Sequence, residues 1–102
     1  MVIPRKLRDV ARDETFAESA RLVDPNPLWF EELIRPIEWG ISRNPESDIF
    51  PELPGTNLRV AKSDRFPDRP ALRVFFSIEN PDKCVMHWVE ILKPEDDSQD
   101  LS

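Results

Sequence analysis

The stretch Ala71–Ile78 constrains the fold most. Leu72, Val74, Phe76 and Ile78 fall on one side of an extended chain and Arg73, Phe75 and Ser77 on the other, which is the two-residue period of a half-buried strand. Cys84–Leu92 follows and is apolar on nearly both faces. Asn80, Pro81 and Asp82 lie between them, and each favours a turn for its own reason, so the pair is predicted to be a hairpin. A shorter strand at Leu58–Lys62 joins it through Phe66–Pro70, where two prolines stand. The expected result is an antiparallel sheet of three strands between Leu58 and Lys93.

The residues before the sheet carry the helical period instead. Asp13–Val23 places Phe16, Ala17, Ala20 and Val23 on one face. Pro25 and Pro27 end that helix, and Asn26 followed by Pro27 is a cap and first residue for another, because the missing N–H of proline is unpaired at that position in any helix. The second helix is predicted over Pro27–Ser42, burying Phe30, Leu33, Ile34, Ile37 and Ile41 and leaving Glu31, Glu32, Arg35 and Glu38 to solvent. Pro36 interrupts it, which predicts a bend or two abutting helices, since an interior proline costs about 3 kcal/mol. Asn44–Thr56 has neither period and reads as a loop. A first strand around Lys6–Ala11 is compatible with an imperfect alternation there. The expected fold class is therefore α+β, with two N-terminal helices packed on a small antiparallel sheet of three C-terminal strands plus an N-terminal strand.

A chain of 102 residues supports one core, so residues 1–93 are expected to form one domain. The remainder, 94–102, carries Glu95, Asp96, Asp97 and Asp100 and is expected to be a disordered acidic tail. The net charge of -6 argues against a polyanionic partner, but it is unevenly spread. Arg5, Lys6, Arg8 and Arg12 stand against Asp9 at the N-terminus, and Arg59, Lys62, Arg65, Arg69 and Arg73 stand against Asp64 and Asp68 before the hairpin. The acidity belongs to the helices and the tail.

Cys84 is the only cysteine and His87 the only histidine, which leaves no intrachain disulfide and no zinc-binding spacing. A reducing cytoplasm is the expected location. No apolar run is long enough to span a bilayer, and two glycines cannot build a phosphate-binding loop, so no membrane span, metal or cofactor is expected.

Four side chains are candidates for chemistry: Arg59, Lys62, Arg73 and His87. The three cations suit phosphate, although arginines on an open sheet face are usually solvated or paired with carboxylates. Strict alternation puts Arg59 and Lys62 on opposite faces. An unperturbed imidazole suits proton transfer near neutral pH, but alternation groups His87 with Val85, Val89 and Ile91, the setting of a hydrogen-bonded core histidine. Trp29, Trp39 and Trp88 are expected first in core or interface, with Trp29 and Phe30 a candidate exposed aromatic pair.

This order of elements, with Ile37-Glu38-Trp39-Gly40-Ile41-Ser42-Arg43-Asn44-Pro45, Pro54-Gly55-Thr56-Asn57-Leu58-Arg59-Val60, Leu72-Arg73-Val74-Phe75-Phe76-Ser77-Ile78 and the closing Trp88-Val89-Glu90, resembles the RelE/ParE superfamily of toxins from bacterial type II toxin-antitoxin systems. The resemblance spans roughly residues 6–93. It implies a toxin neutralised by a cognate antitoxin, acting as a ribosome-dependent, metal-independent endonuclease on messenger RNA. Arg73 then matches the family's arginine in the middle strand, and Arg59 and Lys62 match basic positions in the strand before it. The RNA-cleaving members carry a basic residue and a tyrosine or histidine after the last strand, whereas this chain has no tyrosine and turns acidic after Lys93. Inhibition of DNA gyrase, in the manner of ParE, and a non-toxic interaction domain that keeps the fold therefore stand beside the endonuclease as alternatives.

Overall fold

The computed structural model describes residues 7–23, 27–67 and 70–92. The expected tail at 94–102, the Asn26 cap, Lys6 and Arg69 lie outside them. The chain runs β1 (Asp9–Arg12), α1 (Glu14–Val23), α2 (Pro27–Arg43), β2 (Leu58–Lys62), β3 (Ala71–Asn80) and β4 (Lys83–Leu92). The α+β class and both helices are as expected. Among the described residues no helix is long and apolar enough to cross a membrane.

The sheet has four strands in the order β1-β4-β3-β2. The meander β2-β3-β4 is antiparallel, but β1 lies parallel to β4, with Asp9 opposite Lys83 and Arg12 opposite Met86, so the sheet is mixed. Only the first half of β4 has β1 beside it. Helix α1 covers the other half: Ser19 Oγ accepts the Val89 N–H at 2.9 Å while donating to Phe16 O at 2.9 Å. A buried amide at a strand edge must be satisfied, and this hydroxyl does so. Ser19, not the expected Ala17, is accordingly the second buried residue of α1 beside Phe16.

Helix α2 is a single element of 17 residues with Pro36 inside it, neither broken nor split. Its buried residues are the predicted Phe30, Leu33, Ile34, Ile37 and Ile41, which meet Leu72, Val74 and Phe76 of β3 and Met86 and Val89 of β4 in one core. That packing outweighs the hydrogen bond the proline removes. Glu31 and Glu38, expected in solvent, flank this stripe. They hold Arg12 of β1, Glu31 through two bonds of 2.7 and 2.8 Å and Glu38 through Nε at 2.7 Å. The hydrogen bonds from Arg12 keep the Glu31 carboxyl below its usual range.

The loop after α2 turns at Leu53-Pro54-Gly55-Thr56, where Gly55 has a φ of 79°, a left-handed conformation that favours glycine. Thr56 N donates to Leu53 O at 3.1 Å and closes the turn. After the turn β2 runs back along the loop segment that precedes it, with a bridge between Glu52 and Arg59 and a bond from Val60 N to Pro51 O. One face of the sheet therefore carries the core and both helices. The other face has no helix on it among the described residues.

Candidate functional site

That open face is built in rows across β2, β3 and β4. Lys62, Arg73 and Glu90 are register partners in one row, and Val60, Phe75 and Trp88 in the next. Two irregularities interrupt the β3–β4 ladder, between Ile78 and Asn80 and between Phe75 and Phe76. The first leaves Glu79 over on β3 and the second leaves His87 over on β4. They compensate, so Arg73 and Glu90 meet as an uninterrupted hairpin from Asn80 and Lys83 would place them.

The bulge corrects the expected surroundings of His87. An extra residue shifts the alternation, so Val89 and Ile91 turn to the core face, paired with Val74 and Leu72, while His87 and Trp88 share the open face with Val85. His87 is half-buried among polar groups: Nδ1 lies 2.6 Å from Asp13 Oδ2 and Nε2 lies 2.7 Å from Ser77 Oγ. Ser77 Oγ also donates to Glu79 Oε2 at 3.1 Å. Asp13 is at the same time the N-cap of α1, accepting from Phe16 N through Oδ1 at 2.8 Å. Burial pushes its carboxyl up, but the bonds from Phe16 and His87 outweigh that and hold it below the ordinary value.

Arg73 is half-buried, donates from Nη2 to Glu90 Oε2 at 2.8 Å, and lies 5.6 Å over the Phe75 ring. Lys62 stands directly opposite it on β2. Arg59 points the other way, opposite Phe76, and is spent on the loop: Nη1 donates to Phe50 O at 2.9 Å and Nη2 to Glu52 Oε1 at 3.0 Å. The structure thus brings Lys62, Arg73 and His87 to one face and separates Arg59 from them, as strict alternation requires.

Phe30 is only 5% exposed and Trp29 packs against the core, so they are not an exposed pair. Trp39 and Trp88, by contrast, are 57% and 37% exposed and are not core residues. Cys84 is fully buried, and burial pushes its thiol up, away from the reactive thiolate. Among the described residues no group of three His, Cys, Asp or Glu side chains is placed to hold a metal ion.

Asp13, Ser77, Glu79 and Glu90 belong to the site but were not among the sequence candidates. Asp13 directly before an amphipathic helix is legible as a cap; its second bond, to a histidine 74 residues away, is not. No protein-family model matches the chain, and no curated protein or solved structure matches it either.

Proposed function

We propose that this chain is a RelE/ParE-type toxin that cleaves messenger RNA on the ribosome, with the open sheet face as its RNA-binding surface and a cognate antitoxin as its inhibitor. The observation that carries this reading is the cross-strand pair of Lys62 and Arg73 on the face away from the helices, with His87 on the same face. Two cations in adjacent strands can hold one phosphate and stabilise the charge that develops when a ribose 2'-oxygen attacks it and the bond to the 5'-oxygen breaks. His87 stands beside Ser77, two rows along the sheet from Lys62 and Arg73, and is not placed to move the proton between these oxygens, so the two cations carry the reading. Inducing the protein in a bacterial host and mapping transcript 5' ends tests the reading. New ends within reading frames, lost in Arg73→Ala, support it; growth arrest with intact transcripts overturns it, and a concurrent loss of supercoiling would point to gyrase instead.

A specific observation favours a second reading, the interaction domain without toxicity. Glu90 already engages Arg73 at 2.8 Å, and both ring nitrogens of His87 are engaged. A face with its cation and its histidine so committed suits a structural role, and harmless overexpression would favour it.

A further inference from the structure

We propose that Trp88 and Phe75 form a stacking platform for an unpaired base of single-stranded RNA, whose flanking phosphate lies on the row of Lys62 and Arg73. This rests on the RNA-directed reading above and names the side chains that would position the strand. The exposed pairing of the two rings is the first support. Trp88 stands opposite Phe75 on the open face, where the indole stays 37% exposed. Leaving the largest side chain of a central strand in contact with solvent forgoes buried apolar area.

Charge placement selects the occupant. The next row on the same face begins two residues along each strand, about 6.6 Å away, and contains Lys62 and Arg73. An aromatic surface with cations one row distant matches a base joined through its ribose to a phosphate. An apolar peptide would use the aromatic row and leave the cations unengaged, while a duplex has no base face to offer. Off the β2 edge the apolar row continues into a cavity of about 440 Å³ lined by Ile49, Phe50, Pro51, Val60 and Lys62, which gives a neighbouring base a place to go. Glu90 opposes the phosphate from within the cationic row.

Fluorescence anisotropy of an end-labelled uridine octanucleotide, read across a salt series, tests the platform. Trp88→Ala is expected to weaken binding about tenfold at every salt concentration, without changing the salt slope, because stacking releases no counterions. Phe75→Leu, which keeps an apolar side chain and removes the ring, is expected to weaken it less than Trp88→Ala, and Trp88→Phe to retain most of it. Glu90→Gln is expected to bind more tightly than the natural chain. Inorganic polyphosphate should bind Trp88→Ala and the natural chain alike. The platform is overturned if the natural chain does not bind the octanucleotide, or if folded Trp88→Phe, Trp88→Ala and Phe75→Leu all bind as tightly as it does. Binding with uncut transcripts sinks the endonuclease and leaves the platform standing; cleavage with binding indifferent to both aromatic side chains does the reverse.

Discussion

Asp13 and His87, 74 residues apart in the chain, meet at 2.6 Å through Oδ2 and Nδ1, and the same Asp13 caps helix α1 through its other oxygen. One carboxylate therefore fixes where β1 ends, where α1 begins and how the bulge of β4 is held. Asp13→Ala removes a cap and leaves the histidine without its partner, so it is expected to cost about 1–2 kcal/mol. Asp13→Asn keeps a capping oxygen and should cost less. Urea denaturation of both variants, each also combined with His87→Gln, measures the coupling, and additive losses would show that the contact carries no energy of its own.

The direction of the acid response follows from the two carboxyls the fold holds low, Asp13 and Glu31. A carboxyl whose folded value lies below its unfolded one stabilises the fold above the unfolded value. That contribution disappears as pH falls through the folded value. The melting temperature is thus expected to fall as the solution is taken below about pH 4.5, where ordinary carboxyls begin to protonate. The slope should be shallower in Asp13→Asn and in Glu31→Gln, and an unchanged slope in both would assign acid sensitivity to other groups.

Ser19 is the side chain through which α1 covers the unpaired half of β4. Ser19→Ala leaves the Val89 amide buried with no acceptor, at an expected cost of about 1–3 kcal/mol. The lost protection should be local. Hydrogen exchange at Val89 is expected to quicken more than exchange at Val74 in the centre of the neighbouring strand, and equal changes at both would mean that the helix does not act on this edge.

The elements governed by short-range periodicity were legible before the structure. The stripe Phe30-Leu33-Ile34-Ile37-Ile41 and the alternation Leu72-Val74-Phe76 each repeat one period long enough to define a buried face, and both faces are as read. What escaped was set by partners far away in the chain. Four residues of β1 are too few to show their direction, and the parallel pairing comes from β4. The bulge at His87 leaves no mark in an almost uniformly apolar strand, so the faces of Val89 and Ile91 were read one step out while the Arg73–Glu90 pair stayed countable from the turn. Ser19 carries no signal in the helical period because its role is to answer an amide of another element.

Arg73 is the best-matched position of the resemblance and Arg59 a supporting one, and their surroundings set them further apart. Arg59 holds the loop after α2 through the Phe50 carbonyl and Glu52, on the side of β2 away from Lys62. Arg59→Ala is expected to cost about 1–2 kcal/mol of stability through the lost charge-assisted bond to that carbonyl, because the loop it secures carries Phe50 into the core. Any RNA cleavage by the folded variant should persist. Arg73→Ala should do the opposite, abolishing cleavage at a small cost in stability, since its pair with Glu90 is partly exposed and such pairs contribute little. Chemical denaturation and transcript mapping on the two variants separate the roles, and equal losses of activity at matched folded fractions would place both arginines in one phosphate site.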